Sequence, residues 1–369
     1  MTANRYLQPY FFSELTLNII IVCYFSIYDT TPRAFRARSL YESLSNLGHT
    51  VTVITPAPAN STNVAKNESS FRASIKQLVR RTVVFLLPDG IGTFRIPFFI
   101  QQMKGKTSDI TISVGLPFTV HLATAISIHL RLLKTKFAIA DYGDPYSQNP
   151  GSQKCFYAKV MEKWVVSKFD IITIPTIKAV DAFTQVITSK NKLIVIPQGY
   201  AINQNHAINY KKNLIPNFAY AGILYKLIRN PKTFFEYLLA ADFDFRFHIY
   251  TDVNNTETMQ ILKPYIGRLG EKLIVHEMIP REQCIEALSH MDFLINFSND
   301  STSQTPSKIV DYTISSRPFL NIYQTQLEFK EFEMFINWDY SAFKSTDISD
   351  YDENKVAKMF IDCVKHHAQ

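Results

Sequence analysis

The sequence predicts an α/β protein built as two doubly wound, Rossmann-like domains, and three observations carry that reading. At 369 residues the chain is longer than one hydrophobic core usually serves. Strand-length apolar runs alternate with segments of helical period, the pattern of parallel sheets covered by helices on both faces. The alternation pauses in a polar stretch, residues 201–212, and then starts again.

In chain order, strands are expected at Leu17–Phe25, Thr50–Ile54, Thr82–Leu86, Ile110–Val114, Phe137–Asp141, Ile171–Ile174 and Leu193–Ile196, because these runs are β-branched or aromatic and of strand length. Ala34–Leu47 and Gly151–Ser167 read as helices between them. Beyond the linker, strands are expected at Phe218–Ala221, Phe245–Tyr250, Leu273–Val275, Phe293–Phe297 and Phe319–Ile322, with helices at Lys232–Ala241, Thr256–Leu269, Arg281–Ser289 and Ser307–Ser315. Asp352–His366 has the spacing of a final amphipathic helix. The implied domains are 1–205 and 206–351, with 352–369 a terminal helix able to pack back on the first domain. In open sheets of this kind ligands bind beyond the carboxyl ends of the strands, so two such domains facing each other make a cleft.

Composition narrows the class. A chain that is 46% hydrophobic and 19% charged is globular rather than disordered. Cys23, Cys155, Cys284 and Cys363 form no CxxC pair and have no histidine at ligand spacing, so neither a zinc site nor a disulfide framework is expected, and a reducing cytoplasm fits. The apolar run Leu17–Phe25 is too short to span a membrane, contains Asn18 and lacks a cleavage pattern, which favours a buried strand over a signal peptide. Residues 1–205 hold 22 Lys and Arg against 11 Asp and Glu, whereas 206–369 hold 17 against 21. A basic first half suits phosphorylated substrates, anionic lipid or nucleic acid, and no nucleic-acid-binding module is recognisable.

The residues just after each strand are the ones that can carry chemistry. The first strand runs into Ser26–Arg33 without a GxGxxG, which removes most support for a dinucleotide cofactor. Pro32 suits a first helical turn and Thr30 or Thr31 can cap it, leaving N–H groups and Arg33 to face an anion; the alternative is an ordinary capped helix with solvated arginines at 33, 36 and 38. For Arg36 and Arg38 the solvated reading is preferred. Asp141 and Asp144 follow a buried strand in a tight turn, where a carboxylate can act as general base on a hydroxyl or cap the turn through its own backbone. The first reading is preferred for Asp144, the second for Asp141.

In the second half, the polar loop Ser298–Pro306, which includes Gln304, leads into a helix opening at Ser307 and Lys308. Unpaired N–H donors at such a helix start bind phosphate, and a lysine there opposes the helix dipole unless an anion is present. Asp311, at i+3 from Lys308, can accept hydrogen bonds from ribose hydroxyls. Gly222 follows the first strand of this domain and permits close approach of a ligand whose phosphates Lys226 or Arg229 can reach, although for Lys226 a surface role is preferred. The loop His276–Pro280, with Ile279, can seat a base through its backbone, or simply lead into a helix opened by proline. Between Ser74 and Lys106 the cations Lys76, Arg80, Arg81, Arg95, Lys104 and Lys106 alternate with Phe85, Phe94, Phe98, Phe99 and Ile100, a pattern that suits an anionic leaflet if the aromatics are exposed and a core if they are not. His121, His248 and His290 read as packing or surface residues.

Taken together these segments resemble the bacterial GT-B glycosyltransferases of the family 4 type (glycosyl transferases group 1) over nearly the whole chain. The resemblance rests on Leu47–Val51 with the strand closing at Thr55–Pro56, on Asp141–Pro145, on Ile196–Gly199, and on Gln304–Tyr312 followed by Arg317–Pro318. Locally the chain is also similar to the glucuronosyltransferase type of xanthan assembly, at Thr31–Arg33, Asp144, Gly222, Glu277–Met278 and Ser307–Lys308. The resemblance implies transfer of a hexose or hexuronic acid from a nucleotide diphosphate sugar, UDP-sugar favoured, to a glycan acceptor, lipid-linked, in cell-surface polysaccharide synthesis. It implies Asp144 as base, Lys308 on the donor diphosphate and the Ile279 region around uracil. Two family positions differ: Ser303 stands where the first of two paired glutamates is usual, with Asp311 for the second, and Ile223 replaces a phosphate-binding arginine, leaving Arg229 as its substitute.

The expectation is thus a peripheral protein on the inner face of the cytoplasmic membrane, with donor on the C-terminal domain, acceptor on the N-terminal one near Thr31, Arg33 and Asp141, and no cofactor or metal. The rivals are a nucleotide-sugar epimerase of the same architecture and a non-catalytic binding partner in a polysaccharide assembly complex.

Overall fold

The computed structural model describes residues 16–29, 31–56, 82–148, 154–187, 189–202, 210–227, 230–298 and 307–367. The chain divides into two compact units, residues 1–201 with 350–369, and residues 202–349.

The first unit runs β1 Asn18–Cys23, α1 Pro32–Asn46, β2 Thr50–Ile54, α2 (82–86), a 3-10 turn Gly90–Arg95, α3 Ile96–Met103, β3 Thr107–Val114, α4 Thr119–His129, β4 Lys134–Asp141, α5 Ala158–Val166, β5 Ile171–Ile174, α6 Val180–Phe183 and β6 Leu193–Val195. Its six strands are parallel in the order β2-β1-β3-β4-β5-β6. The sequence direction reverses between β1 and β3, and the crevice at such a reversal is where ligands bind. Strands β1 and β5 are nearly solid apolar runs because helices cover both faces: Ala37, Leu40 and Leu44 of α1 pack on one side, and on the other Phe99 of α3 and Val120 of α4 pack against β1 and Val165 and Val166 of α5 against β5.

The second unit runs β7 Asn217–Ala221, α7 Lys232–Ala240, β8 Arg246–Thr251, α8 Thr256–Leu269, β9 Leu273–Glu277, α9 Arg281–Ser289, β10 Phe293–Ser298, α10 Ser307–Ile314, β11 Phe319–Tyr323 and α11 Lys330–Ile336. Its five strands are parallel in the order β11-β10-β7-β8-β9, so the reversal falls between β7 and β10. Phe218 lies at the centre of an aromatic core, stacked on Phe247 at 4.7 Å and on Phe293 at 4.9 Å. The last helix, α12 Glu353–His367, belongs to the first unit, where Val356, Phe360 and Val364 join the α1 and β1 core.

The structure corrects two elements. Residues 82–86 are helical, not a strand, and Phe85 and Leu86 are exposed. A run this short, Thr82 and four apolar residues, has no period to separate helix from strand, and β1 is already flanked by β2 and β3. The helix read from Gly151 begins only at Ala158; of its expected first turns, 151–153 lie outside the described residues and 154–157 form a turn.

Candidate functional sites in the two units

In the first unit the site grows from the turn after β1 and the turn after β4. Thr31 caps α1, its Oγ1 accepting from Ala34 N at 3.2 Å, and Pro32 occupies the first turn. This capped start projects Arg33, a fifth exposed by side chain, toward Asp141 at 3.7 Å. Burial works against the charge on Arg33, and the carboxylates of Asp141 and Asp144 work for it. The guanidinium approaches Gly143 closely through Nη2: a Cβ built there would sit 1.7 Å from that atom, so only glycine allows this approach.

The two aspartates have separated roles. Asp141 is buried and fully engaged, by Arg36 Nε at 3.1 Å and Nη2 at 3.0 Å and by Thr173 Oγ1 at 2.8 Å. Burial alone raises its pKa, but Arg36, Arg33 and Thr173 outweigh this and hold the carboxyl below its ordinary range. Arg36 Nη1 also donates to Pro197 O at 2.6 Å. Both residues therefore depart from the sequence reading: Asp141 is no turn cap and Arg36 no solvated cation, because α1 lays Arg36 over the sheet where β4 ends beside Thr173 of β5. Asp144 is half-buried, and among the described residues its carboxylate makes no hydrogen bond.

The turn that carries Asp144 is held from beneath. Glu162 of α5, completely buried, accepts from Tyr146 N at 2.6 Å and Ser147 N at 2.8 Å. Burial raises its pKa and the two N–H donors oppose that rise. The Tyr146 ring stacks on Phe118 at 4.4 Å, and Tyr142 stacks on His121 at 4.2 Å. His121 is a packing residue: burial pushes its pKa down to about 3, so the ring is neutral, and its Nδ1 meets Ser113 Oγ at 2.8 Å. Glu162 was missed from sequence although Ala158, Glu162 and Val165 share one helical face, a spacing that placed the acid on the buried side.

In the second unit the site lies at the strand reversal. Gly222 follows β7 with φ +136°, and a Cβ built there would meet Lys308 Cε and Nζ at 2.4 Å. Lys308, in the first turn of α10, hydrogen-bonds through Nζ to the Tyr220 hydroxyl and lies 3.9 Å from the centre of that ring. Tyr312 ties the same place together: its hydroxyl accepts from Ala221 N at 3.1 Å and donates to Ile295 O at 2.9 Å, bridging β7 and β10. The ammonium group and the opening N–H groups of α10 thus stand together at the crevice between these strands.

Around them, Asp311 of α10 is paired with Arg281, the first residue of α9, through Nε at 2.8 Å and Nη2 at 2.6 Å. Burial raises the Asp311 pKa and Arg281 opposes the rise. Ile279 is half-buried in the segment between β9 and α9, directly ahead of Pro280 and Arg281. Lys226 is occupied at the surface, its Nζ donating to Gln260 at 2.9 Å. His248 Nδ1 meets His276 Nε2 at 3.0 Å, and Tyr250 stacks on His276 at 4.4 Å. Arg229 and Gln304 lie outside the described residues, and Ser307 is described only as the first residue of α10. Arg281 was not singled out from sequence; its only signal was a cation opening a helix directly after Pro280.

No family model matches the sequence, and no curated protein matches it by sequence. The structure does match solved proteins across its length. A glycosyltransferase from Rickettsia africae ESF-5 superposes with a TM-score of 0.62 at 10% identity, covering 96% of this chain and 99% of that one. The lipopolysaccharide outer core galactosyltransferase WaaB gives 0.59 at 11% identity, covering 94% and 98%. Anabaena Alr3699/HepE, solved in complex with UDP-glucose, gives 0.55 at 12% identity, covering 95% and 98%.

Proposed function

We propose that this chain, which has the GT-B fold of glycosyltransferases, transfers a hexose or hexuronic acid from a UDP-sugar to the hydroxyl of a lipid-linked glycan in bacterial cell-surface polysaccharide synthesis. The observation that carries the proposal is the Lys308 ammonium packed against Gly222 at the crevice between β7 and β10. A lysine in a first helical turn opposes the helix dipole, and a diphosphate bound there turns that cost into a favourable contact. HepE, whose fold this chain shares, is described with UDP-glucose bound.

In this reading the donor diphosphate rests on Lys308 and the N–H groups of α10 from Ser307, with Asp311 on the ribose and the Ile279 segment on the base. The bond from the anomeric carbon to the diphosphate oxygen breaks, the acceptor oxygen bonds to that carbon, and its proton passes to Asp144. Lys308 and the helix N–H groups stabilise the charge on the departing UDP without calling on a metal ion. Arg33, held at the capped start of α1 above Gly143, is placed to meet an acceptor phosphate.

A membrane-facing surface supports the lipid-linked acceptor. Phe85, Ile91, Phe94, Phe156 and Val160 are each more than half exposed, and the Phe85 and Phe156 rings lie 5.5 Å apart. Arg95, Lys104, Lys159 and Lys163 are exposed on the same segments, whereas the acids there turn inward: Glu162 toward the β4 turn, and Asp89 toward Thr119, whose Oγ1 it accepts at 2.6 Å. Aromatics with cations and no outward acid suit an anionic leaflet. Of the aromatic residues read into this surface, Phe99 belongs to the core instead, while Lys76, Arg80 and Arg81 lie outside the described residues. Among the described residues no helix is long and apolar enough to cross a membrane.

The test is incubation with a panel of UDP- and GDP-sugars, with and without bacterial membrane lipid extract, following nucleoside diphosphate release. Release of UDP that requires the extract is expected. Conversion of the nucleotide sugar to a stereoisomer without extract and without net diphosphate release points to an epimerase, and binding without conversion to a non-catalytic partner.

A further inference from the structure

The Arg281–Asp311 pair has an unusual shape for an ion pair between neighbouring helices. Arginine and carboxylate favour a two-pronged fork, one nitrogen to each oxygen. Here Nε and Nη2 both converge on Oδ1, at 2.8 and 2.6 Å, and among the described residues Oδ2 accepts nothing. Each side chain is about a quarter exposed. The pair also stands in a particular place. Arg281 opens α9 just beyond the Ile279 segment, and Asp311 lies at i+3 from Lys308, on the same face of α10. Asp311 is thus one helical turn from the lysine in sequence and is joined through Arg281 to the segment that follows β9. A cation opening α9 opposes that helix dipole, as Lys308 does on α10, and Asp311 compensates it.

The geometry points to Arg281 as the positioning residue that sets Asp311 for recognition of a nucleotide ribose: it anchors Oδ1 and leaves Oδ2 to accept from the vicinal hydroxyls. This rests on the donor-site reading, in which Lys308 takes the diphosphate to which that ribose is attached. Arg281 also offsets the burial that favours a protonated Asp311, and a protonated carboxyl would offer a donor where the diol needs an acceptor. The ligand class follows from this chemistry. A ribonucleoside diphosphate is taken and its dideoxy counterpart is refused, because a site built to accept from hydroxyls is left unpaired when they are missing.

The experiment is titration calorimetry of UDP and of 2′,3′-dideoxy-UDP against the full chain and against Arg281→Met, Arg281→Lys, Asp311→Asn and the Arg281→Met/Asp311→Asn double variant. The wild type is expected to prefer UDP by about 10- to 100-fold, the range for hydrogen bonds to a charged group. Arg281→Met should lose most of that preference by weakening UDP while leaving dideoxy-UDP unchanged. The double variant should be no worse than either single one, and Arg281→Lys should keep part of the preference. Unchanged UDP binding by Arg281→Met, or equal weakening of both nucleotides, overturns the inference while leaving the donor site standing. Equal binding of the two nucleotides by the wild type overturns it even if a variant fails to fold. A wild type that binds no UDP at all brings down the donor-site reading, and this inference with it.

Discussion

The Lys308 ammonium group occupies the space where a side chain on residue 222 would begin: a Cβ at Gly222 would lie 2.4 Å from Nζ. Close packing and backbone shape meet at this one contact, since φ at Gly222 is +136°, a region that side chains rarely adopt. Gly222→Ala should cost about 1–3 kcal/mol of stability from the backbone alone. It should also weaken UDP by displacing the ammonium, which calorimetry against UDP, with a thermal melt of the same material, will show.

Asp144→Asn should lower turnover by about 10²- to 10⁴-fold, the usual worth of a general base, with UDP affinity unchanged. Full turnover in this variant would mean that no protein base is needed. Glu162→Gln should lower turnover as well, by loosening the Tyr146 and Ser147 N–H groups that fix the turn, and should speed amide exchange in residues 142–148. Hydrogen exchange unaltered in that segment would separate Glu162 from the turn.

Arg36→Met leaves Asp141 buried with only Arg33 and Thr173 for company, and removing one partner of a buried ion pair costs about 3–5 kcal/mol. Arg33 at 3.7 Å places the expected loss near the lower end. Because the folded Asp141 pKa is depressed, its contribution is present above the unfolded carboxyl value of about 3.9 and is lost as pH falls below it. The wild type should therefore lose stability more steeply than Arg36→Met on titration to pH about 3, with urea midpoints as the measure.

The histidines add a second acid-sensitive window. Burial, with His276 adding to it, pushes the His248 pKa down to about 4, and burial takes His121 to about 3. Both rings are neutral in the fold, so the stability they contribute is present above the unfolded value of about 6.5 and declines as pH falls toward 4. His248→Gln should flatten the stability curve between those limits; an unchanged slope would show that the His248–His276 contact carries no pH-dependent stability.

Much of the fold was legible because its strands are strongly periodic or solidly apolar: Thr50–Ile54, Ile171–Ile174 and the helices Thr256–Leu269 and Arg281–Ser289 have the bounds read from sequence. Residues 82–86 were not, since Thr82 followed by four apolar residues fits either a strand or a helical turn. At the sites, sequence marked the turns after the strands but not the partners brought to them from elsewhere. Arg36 and Asp141 are 105 positions apart, Arg281 and Asp311 are 30, and only folding puts them in contact. The place of Lys308 in a first helical turn was legible because its conflict with the helix dipole is local, whereas the need for glycine at 222 became visible only against the lysine.

Calorimetry of UDP against the wild type and Lys308→Met tests the central claim most directly. Saturable binding is expected from the wild type, weakened about 10- to 100-fold in the variant by loss of one charge-assisted contact, with the melting midpoint little changed. Undiminished affinity in folded Lys308→Met, or no heat from UDP or GDP compounds with the wild type, would contradict it.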